Sequence, residues 1–101
     1  MTDPRIIHLT SEDNIAVAAQ PLTPGDVVVV EDQAVELADP IPVGHKLAIR
    51  PIVTGEKVLK YGAPIGSATQ AIRPGQYVHT HNLRSDYLPT FTLDGANPYL
   101  T

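Results

Sequence analysis

The chain contains no cysteine, so neither a disulfide framework nor a thiolate metal site is open to it. Tryptophan is also absent, and the aromatic residues are four tyrosines and Phe91. No apolar run approaches the roughly 20 residues needed to cross a bilayer. Met1 to Ser11 carries Asp3, Pro4, Arg5 and His8 and has no apolar core of a signal peptide, which leaves the cytoplasm as the expected setting. Basic residues are scarce in the first part: residues 1–43 hold eight acids and Arg5 as their one base. With a net charge of −4 the chain does not read as a general nucleic-acid binder.

The next stretch lacks acid instead. Residues 44–84 contain Lys46, Arg50, Lys57, Lys60, Arg73 and Arg84 against Glu56 alone, together with His45, His79 and His81. A basic half on an acidic protein points to a local anionic ligand rather than a polyanion. At 101 residues the chain is long enough for one modest core.

Long helices are excluded by punctuation, since ten prolines and seven glycines interrupt the chain. The sequence therefore reads as all-β. Ile6–Leu9 is a short extended run, and Asn14–Ala18 alternates large and small apolar residues as a strand does. Ser11 could cap a helix over 11–20, but Pro21 and Pro24 would stop it early, and strand is preferred. Val27–Val30 is a β-branched strand, joined through Glu31-Asp32-Gln33 to a second at Ala34–Leu37. His8, among apolar residues, reads as structural.

A pattern of apolar anchor, glycine turn and new strand recurs at Leu22/Gly25/Val28, Ile41/Gly44/Leu47, Ile52/Gly55/Val58 and Ile72/Gly75/Val78. Glycine supplies positive φ at the turn and the flanking apolar residues bury on the sheet side. Its spacing is too irregular for a solenoid, so short strands folded over one another around a small core are expected. After Ser85 the character changes. Residues 86–101 carry Tyr87, Phe91 and Tyr99 among prolines, and read as an arm that docks on another chain or as a linker, beside a domain over 1–85.

Three segments carry chemistry: Gly44-His-Lys-Leu-Ala-Ile49, Lys60-Tyr-Gly-Ala-Pro-Ile-Gly66 and Val78-His-Thr-His-Asn82. On an extended strand, His79 and His81 would share a face, where two imidazoles can bind one divalent ion or clamp one anion. A firm metal site needs a third ligand, and His45 is the other histidine of the basic half. Lys46 and Lys60 are candidates for a substrate carboxylate. The Tyr61 hydroxyl could orient a substrate hydroxyl or simply cap the core, and Asn82 could contact substrate or turn the chain through its own side chain. Ser67 and Thr69 lack the elbow and acidic partner of a nucleophile.

These three segments, in this order and spacing, closely resemble the N-terminal SAF-type domain of altronate and galactarate dehydratases over about residues 5–85. The same small domain forms the alpha subunit of the related sulfolactate sulfo-lyase. The resemblance implies a β-clip fold and a hydro-lyase that dehydrates a sugar acid to a 2-keto-3-deoxy acid. It also implies an iron or manganese ion and a large catalytic region beyond this chain, so the chain alone is expected to be inactive. Within the motifs, His45 is the proton-transfer candidate, Lys46, Lys60, Tyr61 and Asn82 are the substrate-binding candidates, and His79 and His81 are the metal candidates. The alternatives are a sulfo-lyase alpha subunit and a non-catalytic sugar-acid-binding module. Exposed strand edges also leave self-association open.

Overall fold

The computed structural model describes residues 2–86. Among them are nine short strands and no helix: β1 (Ile6–Ile7), β2 (Ile15–Ala18), β3 (Val27–Val30), β4 (Gln33–Glu36), β5 (Lys46–Ala48), β6 (Lys57–Lys60), β7 (Ala63–Ala68), β8 (Tyr77–Val78) and β9 (Leu83–Arg84). The all-β, SAF-type expectation holds, and the segment around Ser11 is a turn followed by strand rather than helix. The expected arm lies outside the described residues apart from Asp86.

One antiparallel sheet runs β1-β2-β5-β8, beside a β3-β4 hairpin and a β6-β7-β9 sheet. Their arrangement repeats. Hairpin β3-β4 corresponds to hairpin β6-β7, and each is framed by a bridged pair of anchors, Leu22 with Ile41 and Ile52 with Ile72. The four anchors are at most 2% exposed, and Val28, Leu47, Val58 and Val78 are fully buried. Burying each such side chain is worth about 1.5–3 kcal/mol. Two apolar clusters result, one on Leu22, Val28, Ile41 and Leu47, the other on Ile52, Val58, Ile72 and Val78.

Both hairpins close through a two-residue loop with positive φ at both positions, Glu31-Asp32 in the first and Tyr61-Gly62 in the second. That is the type I′ geometry whose twist suits a tight hairpin. Gln33 is thus already in strand, where sequence suggested loop, because Val30 pairs directly with Gln33. The second hairpin carries one residue more. It is absorbed as a bulge: Val58 pairs with Gly66 and Leu59 with Pro64, leaving Ile65 unpaired.

The four glycine turns share one hydrogen-bond scheme. Each glycine N–H donates to a carbonyl whose own residue donates back to the carbonyl after the glycine: Gly25 with Leu37, Gly44 with Ala18, Gly55 with Ala68 and Gly75 with Ala48. In three of them the side chain after the glycine also accepts from the backbone N–H after the anchor. Asp26 accepts from Thr23, Glu56 from Val53 and Gln76 from Arg73. In the fourth, Pro42 stands after the anchor Ile41 and has no N–H to give, and the residue after Gly44 is His45.

Candidate functional site

Pairing of β5 with β8 sets Lys46 opposite Val78 and Leu47 opposite Tyr77. One step beyond that ladder His45 meets His79, with ring centroids 5.6 Å apart. Tyr77 lies among the histidines. Its ring stacks on His79 at 5.4 Å and 11°, and is tilted against His45 at 5.6 Å and His81 at 5.9 Å. The Tyr77 hydroxyl and His45 Nδ1 share a hydrogen bond of 2.5 Å. Asp39 holds the backbone of this residue, accepting the Tyr77 N–H at 2.9 Å.

The segment His79-Thr80-His81 is not a strand. β8 ends at Val78, and residues 79–82 form a turn before β9. The cause is Asn82, which is buried. Its side-chain oxygen accepts the His79 N–H at 2.9 Å and its amide donates to the Tyr77 carbonyl at 2.8 Å, while Leu83 N–H donates to the His79 carbonyl. A short polar side chain has substituted for ladder partners and folded the strand back. Both ends of the Asn82 amide are spent on the backbone, so it builds the turn that displays the histidines. Of its two expected uses, the turn is what the structure shows.

The turn divides two concavities. A cleft of about 500 Å³ is lined by Lys46, Thr69, His79, Thr80 and Arg84, with the bulged Ile65 on its wall. A depression of about 570 Å³ on the other side is lined by Arg73, Tyr77 and His81. His79 and His81 therefore border different spaces. Among the described residues no group of three His, Asp or Glu side chains is arranged to hold a metal ion. The iron or manganese expected from the resemblance does not find its ligand set in these residues.

The basic side chains divide by partner. Arg5 is paired with Asp3 at 2.7 Å and Lys57 with Asp86 at 2.6 Å, while Arg50 donates to the Ser11 and Glu12 carbonyls. Lys46, Lys60 and Arg84 form no ion pair among the described residues. Lys46 is partly buried, and burial together with the charge of Lys60 holds its ammonium below the ordinary lysine range. Such a cation is stabilised by any anion that enters. Lys60 lies 5.2 Å from the Tyr61 ring centroid, a cation–π distance.

Tyr61 occupies the hairpin loop, 44% exposed at φ 55°, with its N–H donated to Asp13. It does not line the cleft with Lys46. His8, read as structural from sequence, has a buried side chain, with Nε2 donating to the Asp13 carbonyl at 3.0 Å and Nδ1 3.4 Å from Glu31. Sequence reading missed Tyr77 and gave no site role to Thr80 or Arg84. Tyr77 had a visible signal, since it stands two residues before His79, and the stacked rings put the two on one side although the strand ends between them.

The same segment occurs in known enzymes. The family described as altronate/galactarate dehydratase SAF domain matches residues 4–86. An altronate dehydratase of Escherichia coli (strain K12) is 42% identical over 80 residues, covering 79% of this chain and 16% of that protein. One from Bacillus subtilis (strain 168) is 32% identical over 101 residues, covering 92% of this chain and 20% of that protein. The alpha subunit of (2R)-sulfolactate sulfo-lyase from Chromohalobacter salexigens is 50% identical over 50 residues, covering 50% of this chain and 53% of that subunit. The chain thus spans a fifth or less of the altronate dehydratases that it matches. By this match over nearly all of its described residues, and by its helix-free β architecture, the chain belongs to the altronate/galactarate dehydratase SAF domain family.

Proposed function

We propose that the chain is the small subunit or N-terminal domain of a hydro-lyase that dehydrates a sugar acid of the altronate or galactarate type to a 2-keto-3-deoxy acid. A separate large catalytic region completes the site. The observation that carries this reading is the gathering of two cations that form no ion pair among the described residues, Lys46 and Arg84, around one cleft with His79 and Thr80 on its rim.

Such a dehydration removes a proton next to a carboxylate, spreads charge into an enediolate and expels a hydroxyl. Lys46 supplies a compact cation and Arg84 a planar fork for the carboxylate. Thr69 and Thr80 offer hydroxyls that match those of a polyol chain. His79, exposed at the rim, can hold or move a proton at a ring nitrogen. A divalent metal would add Lewis-acid polarisation of the carboxylate, with ligands drawn from the completing region.

A second reading, the alpha subunit of a sulfo-lyase, is favoured by the share of that relative which the chain covers, 53%. A sulfonate and a carboxylate are both held by the same cations. Assay of the native assembly containing this chain, against altronate, galactarate and (2R)-sulfolactate, separates the two. Turnover of a sugar acid by the assembly and none by the chain alone is the expected result. Turnover by the isolated chain, or none of the three by the assembly, overturns the proposal.

A further inference from the structure

We propose that Tyr77 is a positioning residue that fixes the neutral His45 ring with its proton on Nε2, making His45 a hydrogen-bond donor rather than a base. The proposal rests on the reading given above and extends it to His45, whose ring lies 5.6 Å from that of His79, a residue that lines the cleft.

Comparison of the four glycine turns carries the first step. In three of them the side chain after the glycine is tethered to the N–H after the anchor, by Asp26, Glu56 and Gln76. The equivalent of those three is His45, and the equivalent donor is missing because Pro42 stands there. The backbone of the turn still closes, with His45 N–H donating to the Pro42 carbonyl at 3.0 Å. The imidazole is thereby released from the local tether that its three counterparts keep. It turns instead to Tyr77, whose hydroxyl is 2.5 Å from Nδ1.

The direction of that hydrogen bond follows from the two groups. A phenol hydroxyl donates well, and a neutral imidazole presents one unprotonated nitrogen as the stronger acceptor. With the Tyr77 hydroxyl donating to Nδ1, the ring proton is on Nε2. Stacking on His79 and pairing in β8 hold the phenol in place, so the donor is not free to rotate away. A neutral imidazole in this tautomer cannot take a proton at Nε2. It can donate a hydrogen bond to an oxygen on which negative charge develops, such as an enediolate oxygen. Proton abstraction then falls to another group, and His45 forms or breaks no covalent bond.

Long-range proton–nitrogen NMR on the 15N-labelled chain, at a pH where the rings are neutral, reads the tautomer directly. Expected is His45 with protonated Nε2 and accepting Nδ1, and Tyr77→Phe loses this preference while the β5–β8 amide shifts persist. In Pro42→Ala the restored N–H competes for Nδ1, and the ring-current shifts that Tyr77 imposes on His45 diminish. A protonated Nδ1 in the wild-type chain, or a tautomer unchanged by Tyr77→Phe, overturns the proposal. The wild-type spectrum decides even if a variant does not fold. In the native assembly, Tyr77→Phe should lower kcat by about 10-fold or more with little change in KM, as expected for a group that acts only in the transition state. The spectrum reports on Tyr77 whether or not any sugar acid is turned over, so failure of the enzyme reading and failure of this one are separate results.

Discussion

Gly75 lies against the Glu36 carbonyl so closely that a Cβ at Gly75 would stand 2.0 Å from that oxygen. The contact joins the two halves of the repeat, and Ala38 N–H closes it by donating to the Gly75 carbonyl at 2.9 Å. Gly55, in another of the four turns, has a similar φ of 87° but open space around its missing Cβ. Gly55→Ala is therefore expected to cost only the left-handed backbone penalty, about 1–2 kcal/mol. Gly75→Ala adds a clash with fixed backbone and should cost about 2–5 kcal/mol. Thermal melts of the two variants check this, with a Tm loss roughly two-fold or more larger at Gly75.

Asp13 holds the second hairpin loop to the first strands. It is 1% exposed and its carboxylate accepts from the Thr10 hydroxyl at 2.6 Å and from the Tyr61 and Gly62 N–H groups at 2.7 Å each. Burial alone would raise its pKa. The Thr10, Gly62 and Tyr61 donors outweigh burial and hold the carboxyl below the usual range. A folded pKa below the unfolded one means that this stabilisation is complete above the ordinary aspartate value near 3.9, and is lost as pH falls through the folded value. Asp13→Ala should cost about 2–4 kcal/mol at pH 7, because two loop N–H groups lose their acceptor. Denaturant titrations at pH 7 and pH 3 should show the gap between wild type and Asp13→Asn narrowing at the lower pH.

Lys46 is expected to trade stability for binding. Its lowered pKa means that charge is disfavoured in the folded chain, a penalty present at neutral pH that vanishes as pH rises past the ordinary lysine range. Replacing it with an uncharged residue of similar length relieves both burial and the repulsion from Lys60. Lys46→Met should therefore raise Tm by a few degrees, on the order of 0.5 kcal/mol for a partly exposed site, while weakening anion binding. A Lys46→Met chain that is both less stable and equally able to bind anions would contradict the electrostatic reading of the cleft.

The fold was legible where local chemistry decides it. Leu22, Ile41, Ile52 and Ile72 with their glycines mark four equivalent turns, because a buried anchor and a positive φ are both demanded within a few residues. The equivalence of the two hairpins was not legible, since the Ile65 bulge shifts the spacing of the second copy. His79 and His81 were misplaced for a specific reason: alternation assumes extended backbone, and the buried Asn82 side chain ends it. The cluster of Tyr77 with His45 depends on β5–β8 pairing between distant segments, which no local pattern encodes. Arg84 was visible only as charge, and its place beside Lys46 needed β9 to be set against β7.

The most direct test is a chemical-shift titration of the labelled chain with galactarate, altronate and (2R)-sulfolactate, using a neutral hexitol as control. Saturable shifts centred on Lys46, His79, Thr80 and Arg84, seen with the acids and abolished in a Lys46→Ala/Arg84→Ala double variant, are the expected result. Shifts that the neutral hexitol reproduces, or that persist in the double variant, would contradict the assignment of this cleft to an anionic substrate.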